Sequence, residues 1–331
     1  MSQVDFEKLF SSFKNIKVGV IGDVMLDTYW WGKVERISPE APVPVVAVSK
    51  KEQRIGGAGN VALNVAGLGS FVSVISVVGD DGDGKQVKDL LSDNNIDTTY
   101  LLESKDRITT NKIRIISRNQ HMMRLDAEIT TSLNEADDHA LIASFEKYLS
   151  EQKPDIVILE DYNKGVLSLH VIQQVISLCK KHNVLTAVDP KRKNFFSYVG
   201  ADIFKPNLHE AKEGLNIISE EVSDELLHEI HKELSAKLKH NISFITLSEK
   251  GIFYETAEEH KIIPTHIRSI ADVSGAGDTV IAVSSVVYAA TKDVHLMAEM
   301  ANIAGGLVCE EVGTVAINKD KLLQECKILL R

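Results

Sequence analysis

Along the chain, short apolar runs alternate with stretches whose apolar residues recur at three- and four-residue spacing. Lys17 to Asp23, KVGVIGD, is a run of small and branched apolar residues closed by Gly-Asp. That is the pattern of a central parallel strand whose C-terminal edge carries polar groups, so Asp23 and Asp27 are expected to face whatever binds there. Phe71 to Gly79 (FVSVISVVG) reads as a second strand, and Gly84 to Asn94 as a helix. From Leu133 the order becomes regular: a helix to Leu149, a strand at Asp155–Glu160, a helix at Ser168–Lys181, strands at Val184–Asp189 and Ile203–Lys205, helices from Leu208 and from Glu221, and a strand at Ser243–Leu247. Such alternation predicts an α/β fold with a parallel sheet covered by helices on both faces. No linker or internal repeat interrupts it, so one domain over residues 1–331 is expected.

Two segments break the rhythm. Within Trp30 to Lys51, RISPEAPVPVVAVSK carries three prolines and then alternates, which suits an extended edge strand better than a buried one. Ile108 to Asp126 alternates over two short runs around an Arg-Asn-Gln turn and predicts a hairpin. Paired together they would form a small sheet outside the main one, a lid made of approximately residues 28–52 and 108–127.

Two helix starts are rich in glycine. In Gly56–Gly69, GGAGNVALNVAGLG, the paired glycines Gly56 and Gly57 let a ligand approach the backbone, and Asn60 offers an amide on the first turn. The spacing is not that of a dinucleotide fingerprint, and the acidic residue of a second strand is missing, so a dinucleotide site is disfavoured. The second start is Val273–Thr279, VSGAGDT, followed by an apolar run from Val280 to Ala290. Gly275, Ala276 and Gly277 would open a helix whose first amides lack partners and carry the positive end of its dipole, a setting suited to phosphate. Asp278 lies in the same turn. An acid beside an anion hole repels the phosphate, which serves no purpose in pure binding but serves a reaction in which the acid takes a proton from an attacking hydroxyl. The pairing predicts phosphoryl transfer to an alcohol; the plainer alternative is a helix-entry turn with a dipole-favoured acid.

The other predicted strand ends are polar as well: Glu160 to Gly165, Asp189-Pro190-Lys191, Lys205-Pro206-Asn207 and Thr246 to Gly251. Charges converging on the carboxyl edge of such a sheet suit a polyol bearing a phosphate, with carboxylates and amides for hydroxyls and Lys or Arg for the anion.

Composition narrows the partners. A formal charge of −10 without Lys/Arg blocks argues against nucleic acid or an anionic membrane and leaves a small molecule. Cys179, Cys309 and Cys326 are too widely spaced to suggest a metal cluster or a disulfide framework. The first residues, MSQVDFEKLFSSFKN, contain acids and no long apolar run, and no stretch reaches the length of a membrane span, so a cytoplasmic protein is expected.

With these residues in view the chain resembles the ribokinase-like (PfkB) carbohydrate kinases. Gly56-Gly57 with Asn60, the stretch Asn207-Leu208-His209-Glu210 that looks like the family's NxxE motif, and Asp272–Thr279, which looks like its C-terminal signature, occur in the family's order and spacing. A closer resemblance is to the kinase domain of the bacterial D-glycero-β-D-manno-heptose 7-phosphate kinases. It is carried by Gly22–Gly32, Arg36–Val46, Gly56–Gly69, Ser117–Asp126, Asp161–Leu167, Asp189–Phe195 and Lys205–Ala211, with Glu160 and Asn163 departing from the small residues more usual there. In many bacteria that kinase is fused to a nucleotidylyltransferase domain, whose activity is expected to reside elsewhere for this chain.

The resemblance implies a ribokinase-like fold, ATP and Mg²⁺ as cofactors, and transfer of phosphate to the anomeric hydroxyl of the heptose for lipopolysaccharide core synthesis. Asp278 would be the general base, with Gly275, Ala276 and Gly277 stabilising the migrating phosphoryl group. Asn207 and Glu210 would hold Mg²⁺ through water, although NLHE also has the form of a capping box. Ser248, Lys250 and Gly251 would border the nucleotide, and Asn302, with Ala301 and Gly305, the adenine. Asp23, Gly56, Gly57, Asn60 and Asp161 would meet sugar hydroxyls, and Arg36, Arg124, Lys164, Lys191 and Arg192 are the cations available to its phosphate. A homodimer through the lid is implied too. The alternatives are a kinase for another sugar or nucleoside and a sugar sensor without turnover.

Overall fold

The computed structural model describes residues 4–118, 120–219, 222–266 and 268–330. In chain order its strands are β1 Lys17–Gly22, β2 Val24–Ile37, β3 Pro44–Gly57, β4 Phe71–Gly79, β5 Leu101–Ser104, β6 Asn111–Ser117, β7 Gln120–Ala127, β8 Ile156–Glu160, β9 Leu185–Asp189, β10 Ile203–Phe204, β11 Ile242–Thr246, β12 Ile252–Glu255 and β13 His260–Ile263. Its helices are α1 Phe6–Ser12, α2 Ala58–Gly67, α3 Gly82–Asp93, α4 Glu135–Gln152, α5 Leu169–Lys181, α6 Leu208–Leu215, α7 Asp224–Leu238, α8 Ala276–Thr291, α9 Val294–Val308 and α10 Lys319–Leu329.

The main sheet has the order β13-β12-β11-β10-β9-β8-β1-β4-β5. From β11 to β5 every pairing is parallel. Burial on both faces is what the continuous apolar runs encode: along β8, Ile156 and Ile158 join one core cluster, while Val157 and Leu159 join the other. Helices α2, α8 and α9 cover the first face, and α4, α5 and α7 the second. The expected alternation is present, with most ends shifted by a residue or two. The helix placed at Gly84 begins at Gly82, because Asp81 caps it by accepting from the Gly84 amide at 2.7 Å. The helix expected from Glu221 starts at a residue outside those described; α7 is capped by Ser223.

Three strands were not anticipated: β5, β12 and β13. β5 extends the parallel part of the sheet beside β4, and β12 and β13 form an antiparallel edge hairpin beyond β11, which leaves the sheet mostly parallel as the resemblance implies. Short strands of this kind, four residues each, carry too little pattern to stand out from a turn-rich segment.

A second sheet, ordered β3-β2-β6-β7, leaves the C-terminal edge of β1. Its β2–β3 and β6–β7 pairs are antiparallel and β2–β6 is parallel, so the two irregular segments do pair as expected. Asn119, at the centre of the expected turn, lies outside the described residues. The long strand β2 is buried where it leaves the main sheet and exposed at its far end, whereas β7 is exposed along its whole length.

Candidate active site

The start of α8 is built around one backbone conformation. Gly275 has φ +79°, and a Cβ there would lie 2.8 Å from Thr314 Cγ2 and 2.9 Å from Asn60 Nδ2. A larger residue would therefore suffer both strain and collision. The preceding loop is fixed by Asp272, whose oxygens accept from the Ser274 and Gly313 amides at 2.9 Å each. Helix α2 grips the new turn from the side. Asn64 Oδ1 accepts from Thr279 Oγ1 and from the Ile317 amide, both at 2.9 Å, and Asn60 Nδ2 donates to Asp278 Oδ2 at 2.7 Å. The other oxygen of Asp278 accepts from the Tyr162 hydroxyl, also at 2.7 Å. Burial is the main influence on this carboxyl and pushes it up to about 6, with the Asn60 and Tyr162 donors pulling the other way. Asp278 is thus a buried carboxyl raised toward neutral pH in the first turn of α8, where the Ala276 amide, expected to be free, donates to the Val273 carbonyl at 3.3 Å.

The strand ends bring a charge network to the same corner. Asp189, closing β9, meets Lys205 Nζ at 2.7 Å and Lys191 Nζ at 3.6 Å, and Lys191 also meets Glu210 Oε1 at 2.7 Å. Burial would raise Asp189, but the two lysines outweigh it and hold it below the ordinary carboxylate range. A Cβ on Gly277 would lie 3.9 Å from both Asp189 Oδ2 and Lys205 Nζ, which places this pair next to the helix start. Glu160, closing β8, is fully buried, and neither of its oxygens has a hydrogen-bond partner. Burial first, then the charges of Asp189 and Asp278, raise it far above its usual value, so it stays neutral there.

Asn207 and Glu210 form a complete capping box on α6: Asn207 Oδ1 accepts from the Glu210 amide and Glu210 Oε2 from the Asn207 amide, each at 2.8 Å. Glu210 Oε1 is taken by Lys191. Among the described residues no group of three or more His, Cys, Asp or Glu side chains could hold a metal directly.

Several residues expected on the sugar hold the chain itself. Asp23 accepts from the amides of Tyr162, Lys164 and Val166 at 2.8, 2.9 and 3.0 Å, so its buried carboxylate fixes the 162–166 loop. Asp161 accepts from the Asn163 amide and from the Tyr198 hydroxyl, both at 2.7 Å. The space beside Gly56 and Gly57 is filled by the chain's own atoms, since added Cβ atoms would lie 2.4 Å from Asp27 Oδ2 and 2.3 Å from the Asp23 carbonyl. Of the expected phosphate cations, Lys164 pairs with Glu128 at 2.7 Å, Arg124 with Asp126 at 2.9 Å, and Arg192 with Glu213 at 2.6 Å. Arg36 lies exposed on the outer part of β2.

The expected nucleotide residues converge on one segment. Asn302 Nδ2 donates to the Pro264 carbonyl at 2.8 Å, and Thr265 Oγ1 to the carbonyl of Ser248, which opens the tight turn through Lys250 to Gly251. Ala301 and Gly305 are different. Ala301 is fully buried, and Gly305 sits against Val280 of α8, so both serve helix packing and not a ligand surface.

Lys112 and Arg114 were not among the cations expected from the sequence. Lys112 Nζ lies 5.5 Å from the centre of the Tyr162 ring, and Lys191 Nζ lies 5.4 Å from it. Arg114, two residues along β6 and hence on the same face as Lys112, meets Asp27 at 2.5 Å. The signal was available, because Lys112-Ile113-Arg114 alternates cation and apolar residue in a strand already recognised.

A model described as pfkB family carbohydrate kinase matches residues 15–321. The bifunctional protein HldE of Campylobacter fetus subsp. fetus is 41% identical over 300 residues, covering 90% of this chain and 64% of that protein. HldE of Aliarcobacter butzleri is 40% identical over 315 residues, covering 94% and 64%. The chain thus spans 64% of the length of these curated relatives. Among solved structures, phosphofructokinase-2 from Escherichia coli in complex with potassium aligns with a TM-score of 0.79 at 18% identity, over 96% of this chain and 100% of that one, a likeness of fold.

Proposed function

Because the chain belongs to the pfkB family of carbohydrate kinases, phosphotransferases with an alcohol as acceptor, we propose that it transfers the γ-phosphate of ATP to the anomeric hydroxyl of D-glycero-D-manno-heptose 7-phosphate. The product is the 1,7-bisphosphate, a precursor of the ADP-heptose used in lipopolysaccharide core synthesis, and the reaction belongs to the cytoplasm. The observation that carries the reading is the buried carboxylate of Asp278 in the first turn of α8, beside the amides of Gly275, Ala276 and Gly277. The choice of heptose rests on the identity to the HldE proteins and on the motif segments that resemble heptose 7-phosphate kinases.

In this mechanism Asp278 takes the proton of the anomeric hydroxyl as that oxygen bonds to the γ-phosphorus and the bond to the β,γ-bridging oxygen breaks, releasing ADP. The helix-start amides stabilise charge on the migrating group, and Lys205, held by Asp189, adds a fixed cation. Asn60 orients Asp278 and meets the sugar. Lys112, Arg114, Lys164 and Lys191 supply positive charge for the 7-phosphate. The turn at Ser248–Gly251 and Asn302 border the nucleotide. Asn207 and Glu210 suit a Mg²⁺ ion that keeps its water shell, since the Glu210 carboxylate is already engaged by Lys191 and the Asn207 amide. When bound, that ion neutralises phosphate charge.

The small sheet acts as a lid within a single kinase domain. Its outward face carries Trp30, Ile113, Ile115, Met123 and Leu125 side by side, as the register Trp30–Ile115–Met123 and Ile113–Leu125 requires. Met123 and Leu125 are 55% and 43% exposed, and a second copy of the chain would cover them.

The test is turnover with ATP and Mg²⁺ against heptose 7-phosphate, hexose phosphates, fructose and adenosine, repeated with Asp278→Asn. Selective turnover of the heptose, lost in the variant, is expected. Preference for another acceptor refutes the heptose assignment, and full activity in Asp278→Asn refutes the base.

A further inference from the structure

Tyr162 belongs to none of the roles assigned above, yet it touches the base. Its hydroxyl donates to Asp278 Oδ1 at 2.7 Å, the counterpart of the Asn60 amide on Oδ2. Its backbone is held too, since its amide donates to Asp23 Oδ2 at 2.8 Å. Two ammonium groups flank its ring, Lys112 from the small sheet and Lys191 from the end of β9. A cation near the ring makes the phenol a better donor by favouring negative charge on its oxygen. The small sheet is therefore connected to the base through one side chain.

We propose that Tyr162 is a positioning residue for Asp278: its hydroxyl fixes Oδ1 and keeps the carboxylate ionised near neutral pH, and Lys112 strengthens that bond when the small sheet lies over the site. The proposal rests on Asp278 being the base. The geometry leaves room for the acceptor, because a carboxylate oxygen has a second lone pair to receive the sugar hydroxyl while the phenol holds the first. The other titratable groups near the base are the neutral Glu160 from β8, Asp189 from β9, and Lys205 after β10. Asp189 opposes ionisation and Lys205 favours it. Among these, Tyr162 is the one whose contribution a single oxygen carries, so it can be deleted without changing the charge of the site.

The experiment is the pH profile of kcat for wild type and Tyr162→Phe, using whichever acceptor is turned over. The profile of kcat is preferred to that of kcat/KM because a substrate phosphate itself ionises near pH 6. Removal of a donor that stabilises the carboxylate raises its pKa, so the acid limb should move up from its wild-type place by about one pH unit. A ¹³C titration of the Asp278 carboxyl should move equally without any turnover. Tyr198→Phe removes a matching phenol from the neighbouring Asp161 and serves as the control, with its acid limb in the wild-type place.

Lys112→Gln should give a smaller shift in the same direction, and it decides the matter if Tyr162→Phe does not fold. Unmoved limbs and an unmoved carboxyl titration overturn the proposal, because a merely structural tyrosine would lower stability or activity at all pH values alike. If Asp278→Asn retains full activity, the base assignment itself falls, and the two failures are thereby distinguished.

Discussion

Asn60 of α2 and Asp278 of α8 are 218 positions apart in the chain and meet at 2.7 Å, a neutral amide held against a buried carboxylate. The bond joins the two glycine-rich helix starts into one site. Replacing Asn60 by Asp preserves shape but sets two carboxyl groups in contact, and such a pair shares one proton until the pH is well above neutral. Asn60→Asp should therefore lose about tenfold or more of its kcat at pH 7 and recover in part at alkaline pH. A steady-state pH series identical to wild type would break the link between these two residues and the chemistry.

The same buried carboxylate has a stability signature. Its folded-state pKa of about 6 lies above the ordinary aspartate value of 3.8, so between these values the folded protein binds more protons than the unfolded chain. Stability contributed by the protonated form is present below the unfolded value and is lost as pH rises through the folded one. At pH 7 to 8 the ionised group thus costs the fold up to about 3 kcal/mol. Asp278→Asn removes that cost. Urea unfolding should find the variant more stable than wild type at pH 7.5, with the difference shrinking towards pH 4 as both carry a neutral side chain.

How much of this could be read in advance depended on whether a feature was local in the chain. The apolar runs that became β1, β4, β8 and β9, the helix start at Gly275–Asp278 and the two segments of the small sheet were all legible, because period and glycine placement are properties of neighbouring residues. The inward turn of Asp23 and Asp161 was not. A polar residue at a strand end looks alike in sequence whether it faces a ligand or caps amides of a loop 139 residues away, as Asp23 does. Tyr162 was equally hidden, since its partners Lys112, Lys191 and Asp278 come from three separate parts of the fold. Gly305 was misread for a related reason: the residue that limits it, Val280, is on another helix.

Glu210 caps α6, and the proposed mechanism adds a chemical role that a conservative change should separate from the cap. Glu210→Gln keeps an oxygen to accept from the Asn207 amide, so the cap survives and the melting temperature should move little. It removes the negative charge that Lys191 and a hydrated Mg²⁺ would share, so the Mg²⁺ concentration for half-maximal activity should rise severalfold. Asn207→Ala should cost about 1 kcal/mol through the lost cap. An unchanged Mg²⁺ requirement in Glu210→Gln would reduce the NLHE stretch to a helix cap.

The outward face of the small sheet offers the clearest test of assembly. β7 is an edge strand exposed along its length, and an edge bearing Met123 and Leu125 on one face invites pairing unless another surface covers it. Lysine at either position places a charge in the middle of such an interface while leaving the inward-facing Arg124 and Asp126 pair intact. Wild type should run as a dimer in light scattering at micromolar concentration, and Met123→Lys with Leu125→Lys as a monomer of unchanged secondary structure. If the monomer keeps its kcat, the lid closes over the sugar using its own chain alone; if kcat falls on dilution of the wild type as well, the neighbouring copy is needed to hold the sheet in place. A wild type that is monomeric at these concentrations would leave the apolar face without a second copy as its cover.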